Sequence, residues 1–200
     1  MANFITIFRI FLVFIAVYFL FDKSPMNYIW ALILTIIAFS LDGVDGWVAR
    51  KFNETSKLGA MLDIMSDRIV ENTFWVVFAV LGWLPAVFPI ISLTRGFVTD
   101  GIRSVAMEQG MTAFGENSLQ QDKLGYFICS SKFMRIAYAA IKTLAFVLLI
   151  VSQIPRLNPD TAFLLYIIAY LSSTLAIMFC VLRGLPVVFE SKKLFKNEEV

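Results

Sequence analysis

The stretch from Asp42 to Asp67 reads DGVDGWVARKFNETSKLGAMLDIMSD. Its four aspartates, Asp42, Asp45, Asp63 and Asp67, lie within or beside some of the most apolar sequence in the chain. Helical spacing sets residues three, four and seven apart on one face. Asp42, Asp45, Gly46 and Ala49 follow that spacing before a polar loop over Lys51–Lys57, and Gly59, Asp63 and Asp67 follow it afterwards. A connection of about eight residues joins antiparallel helical neighbours, so two carboxylate stripes can face each other. Glycine and alanine on the same faces let the backbones approach closely. Carboxylates at this density repel unless protonated or neutralised, and charge at membrane depth is costly. Hard divalent cations ligated by oxygen remove the repulsion, and two such ions suit four carboxylates.

The rest of the composition agrees with a membrane setting. Of 200 residues, 59% are hydrophobic and 20 are Phe, and the mean hydropathy is +0.78. These values lie outside soluble norms and predict an all-α polytopic membrane protein, with one domain over residues 1–200. A net charge of +2 gives no ground for a nucleic-acid partner. Histidine is absent, which excludes His-based general bases, Ser/His/Asp triads and His metal sites. Cys129 and Cys180 have neither disulfide nor zinc spacing and read as buried thiols.

A helix needs about 20 mostly apolar residues to cross the hydrocarbon core. Six transmembrane helices are predicted: about Phe4–Phe21, Tyr28–Arg50, Leu58–Leu81, Ala86–Met107, Leu124–Ser152 and Thr161–Leu182. Gly82–Pro85 and Pro155–Asp160 read as turns, and the first helix as retained rather than cleaved as a signal peptide. Arg50, Lys51, Lys57, Lys123, Arg183, Lys192, Lys193 and Lys196 fall on one side, with little beyond Lys23 and Arg156 on the other. The positive-inside rule makes the basic side cytoplasmic, together with both termini and the carboxylate stretch. The expected location is the cell (inner) membrane.

Several uses of the carboxylates stay open at this point. They could form a cation or proton path, or structural ion pairs with Arg50, Arg68, Arg95 and Arg103. A calcium loop of the EF-hand type does not fit, because D-G-V-D-G lacks the required spacing and terminal Glu. No internal repeat supports a transporter built from duplicated halves.

The residues Asp42, Asp45, Gly46, Ala49, Arg50, Gly59, Asp63 and Asp67 match D-x2-D-G-x2-A-R-x8-G-x3-D-x3-D at every position. This resembles the signature of the CDP-alcohol phosphotransferase family. Eight fixed positions arise by chance with odds on the order of 10⁻¹⁰ per start site, given ordinary residue usage. The resemblance covers essentially the whole chain. It implies a phospholipid-biosynthetic transferase that exchanges CMP on a CDP-activated alcohol for a second alcohol, using two Mg²⁺ or Mn²⁺ ions. By resemblance Asp42, Asp45 and Asp63 hold one ion, Asp63 and Asp67 engage the second, and Asp67 is the general base. Gly46, Arg50 and Ser56 are implied nucleotide and pyrophosphate contacts. A weaker Asn-x-x-Thr-x-x-Arg match at Asn3, Thr6 and Arg9 implies a further nucleotide-binding face. A homodimer is also expected by resemblance.

The acceptor is the remaining question. Lys132, Arg135 and Arg183 fall towards predicted cytoplasmic helix ends, where they could clamp a phosphate or merely snorkel. The chain is most similar to bacterial phosphatidylglycerophosphate synthases, which join CDP-diacylglycerol to sn-glycerol 3-phosphate. Inositol phosphate is the next acceptor, then phosphatidylglycerol or serine. A cation or proton transporter is the competing class.

Overall fold

The computed structural model describes residues 2–51, 57–108, 123–155 and 157–192. Among them are seven helices and no strand: α1 (Ala2–Phe21), α2 (Pro25–Lys51), α3 (Lys57–Val80), α4 (Val87–Glu108), α5 (Lys123–Ser130), α6 (Lys132–Ser152) and α7 (Pro159–Glu190). The chain divides into two compact units, Met1–Ala86 with Thr143–Leu171, and Val87–Lys142 with Ser172–Val200.

In the first unit, α1 packs against α2 and α3. Thr6, Arg9, Val13, Ala16 and Leu20 form its buried face, while Phe4, Phe8, Phe11, Ile15 and Tyr18 remain exposed. Both sets repeat at helical spacing. The outer set has the chemistry of a lipid-facing surface. The same unit holds an aromatic core. Phe146 meets Trp75 edge to face at 4.7 Å, Phe78 at 5.3 Å and Phe74 at 5.4 Å between ring centroids. Such contacts suit the ring quadrupoles.

Local sequence explains the helix ends. Pro25 opens α2, where its missing N–H costs nothing, and the Ser24 carbonyl accepts from the backbone of Asn27 and Tyr28. Asn158 caps α7: its Oδ1 accepts from the Asp160 N–H at 3.1 Å, with Pro159 at the first helical position. At the end of α3, Trp83 N–H donates to the Phe78 carbonyl and Gly82 N–H to that of Ala79, with Gly82 at φ 76°. The Trp83 and Phe78 rings stack at 5.4 Å. This is a Schellman closure, hydrophobic contact included. Gly82→Ala should cost about 1–2 kcal/mol, because an L side chain disfavours the left-handed region. A thermal midpoint unchanged by the substitution would show that the backbone relaxes there.

Two helix boundaries differ from expectation. The predicted fifth helix breaks at Ser131, whose Oγ accepts from Met134 N–H at 3.2 Å and so caps α6. The predicted sixth helix runs on through Pro186 to Glu190, so Arg183 lies inside α7 rather than at the start of a tail. Four stretches among the described residues are long and apolar enough to span a membrane: Asn3–Phe21, Pro25–Gly43, Gly125–Ser152 and Pro159–Glu190. The third and fourth predicted spans are helices of 24 and 22 residues that carry more charge, Asp63, Asp67, Arg68 and Glu71 on α3 and Arg95, Asp100 and Arg103 on α4.

Candidate active site

Three of the four signature aspartates come together where side chains are described. Asp42 on α2 and Asp63 and Asp67 on α3 each bring a carboxylate oxygen within 4.8 Å of the other two. Asp63 and Asp67 are four residues apart and therefore share a face. Between them Ser66 turns to the buried side, where its Oγ donates to the Asp63 carbonyl at 3.2 Å. A cluster of hard oxygen donors at this separation fits a divalent cation such as Mg²⁺ or Mn²⁺.

A buried cation stands behind the carboxylates. Arg9 projects from α1; its Nη1 donates to Asp42 Oδ1, and its Nη2 donates to Ser66 Oγ and, at 2.8 Å, to Asp67 Oδ1. The Arg9 side chain is 2% exposed, against 41% for Asp42 and 53% for Asp67. The acidic groups thus keep an open side. The sequence had offered Arg50, Arg68, Arg95 and Arg103 as ion-pair partners; the partner found here for Asp42 and Asp67 is Arg9. Its signal was present in the Asn3, Thr6, Arg9 spacing, which marks one face of α1 but not what that face meets.

The other signature residues are partly placed. Asp45, Gly46 and Arg50 lie on the α2 backbone, with their side chains outside the described set, and Ser56 lies outside the described residues. Asn3 is half-buried and Thr6 buried on α1.

In the second unit, Arg183 is buried and joins Arg95 and Arg103 of α4 within mutual electrostatic reach. Arg183 Nη2 donates to the Cys129 carbonyl at 3.3 Å, and its guanidinium lies 5.3 Å from the Tyr138 ring centroid. Arg103 Nη2 lies 3.3 Å from Cys129 Sγ, and its Nη1 lies 3.9 Å from Asp100 Oδ1. The Nε groups of Arg95 and Arg183 are buried and have no hydrogen-bond partner among the described residues. Gly184 makes room for Arg95: a Cβ there would sit 3.0 Å from Arg95 Cγ. A cavity of about 420 Å³ opens beside Arg95 between α4 and α7, with walls that include Ile91, Val98, Val181 and Leu185. Of the trio expected to bind acceptor phosphate, Arg183 is therefore in a cationic cluster. Arg135 is exposed near the start of α6, and Lys132 opens that helix with its side chain outside the described set. Arg95 and Arg103, eight residues apart on α4, are the members that the sequence left unassigned.

Comparison with known proteins agrees with the signature. A CDP-diacylglycerol–glycerol-3-phosphate 3-phosphatidyltransferase of Bacillus subtilis is 30% identical over 89 residues, which are 44% of this chain and 46% of that protein. An enzyme of the same name from Rickettsia bellii is 24% identical over 144 residues, 69% of this chain and 80% of that protein. A CDP-diacylglycerol–inositol 3-phosphatidyltransferase of Arabidopsis thaliana is 44% identical over 45 residues, 22% of this chain and 20% of that protein. The match thus spans less than half the length of the Bacillus relative. The CDP-alcohol phosphatidyltransferase family model covers residues 1–183. That range contains both carboxylate helices and the three clustered arginines of the second unit, and the chain belongs to the CDP-alcohol phosphatidyltransferase family.

Proposed function

We propose that this protein is a phospholipid-biosynthetic enzyme of the membrane that transfers a phosphatidyl group from CDP-diacylglycerol to sn-glycerol 3-phosphate. The observation that carries the reading is the convergence of Asp42, Asp63 and Asp67, all signature positions, into one cluster. Asp42, Asp45, Asp63 and Asp67 would hold two Mg²⁺ or Mn²⁺ ions. Bound there, such ions neutralise diphosphate charge and lower the pKa of a nearby hydroxyl. Asp67 acts as the general base. Arg9 already engages its Oδ1, so Oδ2 takes the proton in this proposal. The acceptor oxygen bonds to the phosphorus that carries the diacylglycerol, the bond from that phosphorus to CMP breaks, and CMP leaves. Asn3, Thr6, Gly46, Arg50 and Ser56 bind the nucleotide and diphosphate.

The acceptor phosphate is assigned to the cationic cluster of Arg95, Arg103 and Arg183, with Lys132 and Arg135 as further members of the pocket. Arginine forks suit phosphate oxygens, and the buried Nε groups of Arg95 and Arg183, without a hydrogen-bond partner among the described residues, favour an anion. The proposal extends to one domain over residues 1–200, six spans, both termini and the active site on the cytoplasmic side of the cell membrane, and a homodimer. Basic loop residues support the orientation, and the family likeness alone supports the dimer.

One observation favours a second reading. The apolar cavity beside Arg95 can hold a chain segment next to a phosphate, as a lipid acceptor such as phosphatidylglycerol would require. CMP release from CDP-diacylglycerol should be measured in the presence of Mg²⁺ or Mn²⁺, with each acceptor supplied separately. Release that depends on glycerol 3-phosphate is the expected result. Release with phosphatidylglycerol, inositol phosphate or serine instead keeps the chemistry and reassigns the acceptor. Folded protein that releases no CMP with any of them would reject the transferase reading and return the carboxylates to cation or proton transport.

A further inference from the structure

We infer that Arg9 is the positioning residue of the carboxylate site, fixing an α2 ligand against an α3 ligand before any divalent ion arrives. The inference rests on the metal-binding role proposed for the cluster, and it gives Arg9 a different role from the nucleotide contact that its sequence pattern implied.

Three features carry it. The first is the hydrogen-bond pattern. One guanidinium reaches Asp42 through Nη1 and both Ser66 and Asp67 through Nη2, so a residue on α1 joins the carboxylate helices α2 and α3. A planar fork with fixed donors can satisfy groups on two helices, whereas an ammonium is a single point of charge.

The second is the gradient of exposure. The guanidinium is buried while both carboxylates keep an open side. A buried Arg9 cannot readily reach a nucleotide while its fork is spent on Asp42, Ser66 and Asp67. It can act on the ligands from behind, as partners of metal-binding carboxylates do.

The third is charge. The four signature carboxylates and Arg9 together have a formal net charge of −3. Without Arg9 the repulsion would be larger and would favour splayed carboxylates. An arginine this deep in an apolar helix is costly unless paired, and the pairs it makes are with the metal-ligand candidates themselves.

The test compares wild type, Arg9→Gln and Arg9→Lys in the same detergent, with Mn²⁺ alone as the probe and no substrate present. Free Mn²⁺ is read by electron paramagnetic resonance, and folding by thermal denaturation. Wild type is expected to bind Mn²⁺. Arg9→Gln should weaken the apparent Kd by roughly 10–100-fold, the usual effect of losing a partner that orients metal ligands. Arg9→Lys, which keeps the charge and loses the fork, should fall between the two. An unchanged Kd in folded Arg9→Gln overturns the inference. A tighter Kd also overturns it, because Arg9 would then compete with the ion. If Arg9→Gln does not fold, Arg9→Lys decides: a wild-type Kd overturns the inference, and a weakened one supports it. Wild type without Mn²⁺ binding would instead remove the metal role of the cluster, and this inference with it.

Discussion

Asp67→Asn is expected to lower kcat by about 10²–10⁴-fold, the usual contribution of a positioned general base, while CDP-diacylglycerol still binds. The amide keeps the size of the carboxylate and cannot take the acceptor proton. Local structure should survive, because Arg9 retains Asp42 and Ser66 as partners and Asp67 is half exposed. The substitution also removes one anionic ligand candidate, so turnover must be compared at saturating Mn²⁺. A rate that recovers fully with more Mn²⁺ would make Asp67 a ligand and not a base. Turnover within tenfold of wild type at every Mn²⁺ concentration would remove Asp67 from the chemistry altogether. The decisive pair of measurements is CMP release and equilibrium binding of labelled CDP-diacylglycerol.

Much of this site was legible because its geometry is local. The intervals from Asp42 to Asp45 and from Asp63 to Asp67 are one helical turn, and the short polar loop between them all but dictates an antiparallel pair. The Gly82 turn was legible for a similar reason: a Gly after an apolar run, followed by Trp, is the pattern of a Schellman closure. What could not be read depends on how helices rotate against one another. The spacing of Asn3, Thr6 and Arg9 marks a face of α1, yet only packing against α2 and α3 reveals that Arg9 meets Asp42 and Asp67.

Two helix boundaries were missed for different reasons. The apolar pattern runs through Ser130 and Ser131 without a Gly or Pro, so the cap that Ser131 places on α6 has little signal. At the other end, Pro186 is a usual stop sign, but α7 continues past it. Transmembrane helices tolerate Pro when neighbours satisfy the freed backbone groups. That continuation makes Arg183 an interior residue of α7 and not a terminal one. Arg95 and Arg103 on α4, offered by the sequence as ion-pair partners of the carboxylates, share a cluster with it instead.

Arg183→Gln is expected to raise the apparent KM for glycerol 3-phosphate by roughly 10–100-fold, the loss of one or two charge-assisted hydrogen bonds to phosphate. The KM for CDP-diacylglycerol should change by no more than about threefold, because the substitution removes an acceptor contact and leaves the carboxylate site intact. The argument is one of unmet demand. Arg183 is buried beside two other guanidiniums, its Nη2 reaches only a carbonyl at 3.3 Å, and its Nε has no hydrogen-bond partner among the described residues. Such a group gains more from a phosphate than the exposed Arg135 does, so Arg135→Ala should move the same KM in the same direction by a smaller factor. Gln fills most of the space that Arg183 occupies, which separates lost charge from lost packing, and Arg183→Lys should recover part of the affinity by restoring charge without the fork. Equal rises in both KM values would mean that Arg183 supports the fold of its unit. A rise confined to glycerol 3-phosphate would make it part of the acceptor pocket.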